Sequence, residues 1–109
     1  MVATSTELDE IIKSFVDALE ARIRVEAIIL FGSYARDTAY EQSDIDLAVV
    51  SPDFESVPMY RRQEIIADLT FREDGRVSAV GYPSSEYNSP SPYAFLSEIV
   101  RTGKVVYPP

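Results

Sequence analysis

Across residues 6–22, Leu8, Ile11, Ile12, Phe15, Ala18 and Leu19 recur every three or four positions with polar and charged residues between them. That spacing gathers apolar side chains on one face of an α-helix. Thr4, Ser5 and Thr6 stand in front of it as candidate caps for the first free N–H groups. The pattern then changes. Residues 25–31 form a short, β-branched apolar run that stops at Gly32, as a strand buried on both faces would read. Residues 32–36 have room for one helical turn, followed by a polar loop over 37–42. A second strand is expected over 44–50, where Ile45, Leu47, Val49 and Val50 lie, with Pro52 and Asp53 as its stop.

Further along, Met59, Ile65, Ile66 and Leu69 predict a helix over 58–71, amphipathic chiefly in its second half. A third strand is expected over 76–82 after the Asp74-Gly75 turn, a final helix over 90–101 stopped by Gly103, and a last short strand over 104–107. Residues 84–92 read as a Ser/Pro-rich connection. This order of helices and strands predicts an α/β (α+β) fold, a mixed β-sheet covered by helices. A length of 109 residues fits one domain spanning 1–109.

Composition narrows the chemistry. Hydrophobic residues at 46% and charged residues at 26% fit a water-soluble globular chain. The longest apolar run falls far short of the roughly 20 residues that span a bilayer, and the amino terminus lacks a signal-peptide pattern. The expectation is a cytoplasmic protein with no membrane association. The chain has no cysteine and no histidine, which removes thiolate metal sites, cysteine nucleophiles and imidazole bases. Carboxylates and hydroxyls remain, and these suit hard cations such as magnesium. A net charge of −8 argues against direct nucleic-acid binding, which depends on clustered Lys and Arg. The pair Arg61-Arg62 reads as solvated helix surface.

The informative stretch is Phe31-Gly32-Ser33 followed by Asp44-Ile45-Asp46. In a strand, residues two apart share a face, so Asp44 and Asp46 would sit side by side while Ile45 and Leu47 point to the core. Paired anions in a cleft make sense where a divalent cation offsets their repulsion. Gly32 lets the backbone approach a phosphate, and Ser33 adds a hydroxyl and an N–H at the start of a helical turn. Arg36 is placed equally to reach a phosphate oxygen or to pair with Asp37 or Glu41. Ser43 reads as a turn residue.

Gly32-Ser33, ten intervening residues and Asp44-Ile45-Asp46 resemble the signature of the polymerase-beta-type nucleotidyltransferase superfamily. The flanking Ile29-Leu30-Phe31 and Tyr34-Ala35-Arg36 resemble its small prokaryotic branch, the minimal nucleotidyltransferases of HEPN/MNT antitoxin systems. The resemblance implies a polymerase-beta-like fold, with Gly32, Ser33 and Arg36 on the triphosphate of ATP and Asp44 and Asp46 as catalytic ligands of Mg2+. It further implies adenylyl transfer and a HEPN-domain toxin as partner, modified on a tyrosine. Active members commonly supply a third carboxylate from a later strand, where this chain has Ser78, with Glu73, Asp74 and Glu86 as the acids nearest in sequence. Two other outcomes stay open. The domain could neutralise its partner by contact alone, or transfer a nucleotide to a small molecule such as an aminoglycoside, with the acceptor pocket shared across a homo-oligomer. Tyr82-Pro83 and Tyr93 are candidates for a surface that meets another protein.

Overall fold

The computed structural model describes residues 2–109. Helix α1 spans Ser5–Glu20 and buries Ile12, Phe15, Val16 and Leu19. Its start is fixed by a reciprocal cap. The Thr4 hydroxyl accepts from the Glu7 N–H at 3.1 Å, and the Glu7 carboxylate accepts from the Thr4 N–H at 3.5 Å. Such a box satisfies two orphan donors, and losing the cap costs a helix about 1 kcal/mol.

The chain continues through β1 (Ala27–Phe31), β2 (Ile45–Ser51), a 3-10 turn (Pro52–Phe54), α2 (Met59–Thr70) and β3 (Val77–Pro83), then α3 (Ser84–Asn88), α4 (Phe95–Thr102) and β4 (Lys104–Tyr107). The four strands form one mixed sheet in the order β3-β2-β1-β4. β1 runs antiparallel to β2 and β4, while β2 and β3 are parallel. Parallel neighbours need a crossover, and α2 supplies it.

Both faces of the sheet are covered, which is why β1 and β2 read as nearly continuous apolar runs. On one face Ile28, Leu30, Ile45, Leu47 and Val49 join Phe15 and Leu19 of α1 and Ile66 of α2 in the larger core. On the other, Ala27, Ile29, Ala48 and Val50 pack with Tyr82 and with Leu96 and Ile99 of α4. The outer edge of β3 is sealed by side chains of α2. Gln63 donates to the Ala79 carbonyl at 2.7 Å and accepts from the Gly81 N–H at 3.1 Å, while Arg62 donates to the Gly81 carbonyl at 3.1 Å. These bonds occupy groups that would otherwise invite another strand.

Two expectations change. Residues 84–92 are not all connection, since α3 occupies the first part. Glu55, distant in sequence, accepts from the Ser85 N–H at 2.8 Å and from its hydroxyl at 2.9 Å, a tertiary cap with no local signal. The final helix starts at Phe95 rather than Pro90, because Pro90 and Pro92 push the residues before them out of the helical region. Among the described residues, no helix is long and apolar enough to cross a membrane.

Candidate active site

The strand register builds the site. Asp46 of β2 lies directly opposite Phe31 on one side and Ser78 on the other. Alternation puts all three on the face that carries Ile29, Ala48 and Val80, the face covered by α4. A row Ser78–Asp46–Phe31 therefore crosses three strands at the end of the sheet where β1 finishes and β2 begins. Asp44 stands just before β2, exposed, while Asp46 is half-buried inside it. Ile45 and Leu47 point to the opposite core, as alternation requires.

Gly32 closes on this row from the end of β1. Its φ is +73°, and a Cβ built there would lie 2.3 Å from Asp46 Oδ2. A side chain there would have to displace the Asp46 carboxylate and adopt a left-handed backbone, so glycine lets the turn lie close against that carboxylate. The following residues form one helical turn, in which the Arg36 N–H donates to the carbonyls of Gly32 and Ser33, each at 3.2 Å, and the Thr38 N–H donates to Ser33 at 2.9 Å. The N–H groups of Ser33, Tyr34 and Ala35 come before that first donor and so have no acceptor within the turn. Tyr34 and Ala35 are buried and anchor the turn in the larger core. The Tyr34 hydroxyl also accepts from the Ala3 N–H at 3.1 Å, tying the segment before α1 to the turn. Ser43 is a turn residue: its hydroxyl accepts from the Tyr40 N–H, and its own N–H donates to the Tyr40 carbonyl, both at 2.9 Å.

Burial pushes the Asp46 carboxyl above the usual carboxylate range, the Asp44 charge pushes it further, and the Arg36 guanidinium pulls it back. Arg36 thus acts electrostatically on the row as a positive charge. A half-buried carboxylate beside a second carboxylate is only partly compensated by Arg36, and an oxygen-seeking cation would offset both the burial and the repulsion. The donor set fits magnesium in kind, and the carboxylates leave coordination positions for water and phosphate oxygens. Among the described residues, no three or more acidic side chains converge as a metal cluster.

The acids nearest Ser78 in sequence are engaged elsewhere. Glu73 accepts a short hydrogen bond from Ser14 of α1, and Asp74 holds Arg76 through two side-chain bonds of 3.0 and 2.8 Å. Glu86 lies on α3 beside Tyr82, four residues along β3 from Ser78. One neighbour was not legible in the sequence. Phe95, the first residue of α4, meets Phe31 edge-on with ring centroids 6.0 Å apart and an interplanar angle of 84°. Only the register and the path of α4 bring this pair beside Asp46.

Comparison with known proteins identifies the family. The chain is 31% identical over 102 residues to "Putative protein adenylyltransferase MJ0604" of Methanocaldococcus jannaschii, an alignment covering 91% of this chain and 97% of that one. It is 40% identical over 55 residues to protein adenylyltransferase MntA of Thermococcus cleftensis, covering 50% of this chain and 52% of the relative. Among solved structures it resembles a toxin-antitoxin crystallised with AMP-PNP, with a TM-score of 0.56 and 27% identity over 91% of this chain and 72% of that chain. The nucleotidyltransferase domain family matches residues 9–84, which includes Gly32, Ser33, Asp44, Asp46 and Ser78. The chain therefore belongs to the nucleotidyltransferase domain family, in its minimal MNT-type branch, and is a nucleotidyltransferase.

Proposed function

We propose that the chain is a magnesium-dependent adenylyltransferase that serves as the antitoxin of a toxin–antitoxin pair, placing AMP from ATP on a tyrosine of a HEPN-domain toxin. The observation that carries this reading is the contact of Gly32 with Asp46, where a side-chain-free backbone turn abuts a carboxylate whose proton affinity is raised by burial and by Asp44. In this reading Gly32 and Ser33 receive the triphosphate, Arg36 contacts a phosphate oxygen, and Asp44 and Asp46 hold Mg2+. Bound there, the cation supplies charge neutralisation for the phosphates. The acceptor oxygen forms its bond to the α-phosphorus as the bond to the bridging oxygen breaks, and pyrophosphate leaves. Ser78 offers no carboxylate beside Asp46, which leaves Asp44, Asp46 or water to take the hydroxyl proton. Positioning and electrostatics carry the catalysis. The names of the relatives support adenylyl transfer, and the structural neighbour supports an adenine nucleotide and a protein partner. In this reading the use of ATP goes with a cytoplasmic reaction, and the net charge of −8 favours a protein acceptor over a nucleic acid.

A second reading, neutralisation of the partner by contact without transfer, is favoured by one observation, the serine at position 78 in register with Asp46. Isotopic labelling separates the two. With the partner present, label on the α-phosphate of ATP should be retained on that protein while label on the γ-phosphate leaves with pyrophosphate. A stable complex that retains neither label supports contact alone. Label appearing instead on an added aminoglycoside would overturn both in favour of a small-molecule acceptor.

A further inference from the structure

We propose that Phe95, braced edge-on against Phe31, is the surface on which the base of the bound nucleotide stacks. The proposal rests on the reading that Gly32, Ser33 and Asp46 receive the triphosphate, and it assigns the other end of the nucleotide. Phe31 is the cross-strand partner of Asp46, and direct partners across an antiparallel pair lie about 4.5–5.5 Å apart at Cα. Phe95 follows one ring contact further out, at 6.0 Å. The aromatic pair thus continues the row of site residues laterally, toward β1 and away from Ser78.

Phe95 is 62% exposed, although it opens a helix whose next turn is well anchored. Leu96 and Ile99 bury into the second core and hold α4 in place. Phe31, packed at the margin of that core, holds the ring of Phe95 from the side. In a perpendicular contact one ring presents an edge and the other a face. Whichever ring does which, this contact leaves at least one face of Phe95 open. Glu98 and Arg101 of α4 line the same surface hollow as Phe95, where they offset each other's charge as an ion pair at 2.6 Å. The result is an oriented, uncharged ring beside a carboxylate site, suited to the flat surface of a nucleobase. Stacking recognises area rather than hydrogen-bonding pattern, so the ring favours purines over pyrimidines and does not itself separate adenine from guanine.

The test is calorimetric titration of the whole chain, in magnesium, with ATP, CTP and inorganic tripolyphosphate. Phe95→Ala should weaken ATP on the order of tenfold, weaken CTP less, and leave tripolyphosphate unchanged. Phe95→Tyr should retain the wild-type preference. Phe95→Leu keeps apolar bulk against Phe31 without an aromatic face and should show the same selective loss as alanine. ATP affinity unchanged in Phe95→Ala overturns the proposal, and loss of co-elution with the partner in that same variant would assign Phe95 and the 97% exposed Tyr93 to a protein interface instead. Wild-type protein that binds tripolyphosphate as tightly as ATP overturns the stacking surface alone. Wild-type protein that binds neither overturns the triphosphate reading along with it.

Discussion

Asp46 of β2 and Ser78 of β3 are direct partners across two parallel strands, on the same face of the sheet. A carboxylate at position 78 would therefore stand beside Asp46 without any rearrangement of the backbone. Ser78→Asp should lower the thermal midpoint in the absence of metal, because a third anion joins two that already repel. Magnesium should restore the midpoint. A positioned base typically contributes about 10²-fold or more, so the variant should also transfer nucleotide faster than the wild type. Thermal scans with and without magnesium, paired with a pyrophosphate-release assay, check both effects. A variant with unchanged metal response would mean that Ser78 does not share the site of Asp46.

Gly32 carries two separable constraints, its φ of +73° and the 2.3 Å that would separate a Cβ placed there from Asp46 Oδ2. Gly32→Ala should cost about 1–3 kcal/mol in chemical denaturation and abolish nucleotide binding. In an Asp46→Ala background the steric part disappears while the backbone part remains. The cost of Gly32→Ala should then fall, a coupling that a double-mutant cycle measures.

Asp37 adopts a φ of 56° in the loop after the helical turn, without being glycine. Asp37→Gly should raise stability by up to about 1 kcal/mol, since relief of the left-handed strain outweighs the added freedom of the unfolded chain. Asp37→Val should lower it by more, because a β-branched residue is excluded from that region. Denaturant midpoints for the two variants on opposite sides of the wild type would establish this.

Asp53 is the middle residue of the 3-10 turn after β2 and accepts from the Arg24 N–H at 2.8 Å and from its guanidinium at 3.0 Å. These bonds hold its carboxyl below the usual carboxylate range. A lowered folded-state pKa stabilises the fold above the unfolded value, 3.8, and the contribution is lost as pH falls through the folded value. Asp53→Ala should cost about 1 kcal/mol or less at pH 7, as expected for a solvent-screened pair. Unfolding curves of the two proteins should converge as pH drops below 4.

Local signals carried much of the fold. The capped start of α1, the apolar runs of β1 and β2 and the crossover to β3 follow from periodicity, because each depends on residues adjacent in the chain. Alternation also placed Ile45 and Leu47 correctly in the core. It described Asp44 and Asp46 less well: only Asp46 lies on the strand, and Asp44 stands at its mouth. What remained hidden depends on distant partners. Glu55 caps Ser85 at the start of α3 from thirty residues away. The start of α4 is set by two prolines whose effect a helical spacing count overlooks. The pairing of Phe31 with Phe95 arises from the packing of α4 across the sheet, which no sequence period encodes.

The central claim, transfer of AMP to a partner protein at the Asp44–Asp46 site, is tested most directly by intact-mass spectrometry. The HEPN-domain protein would be incubated with the chain, ATP and magnesium, alongside the Asp44→Asn/Asp46→Asn variant. The account predicts adenylyl additions on the partner that vanish with the variant. An unmodified partner held in a stable complex, or additions that persist with the variant, would contradict it.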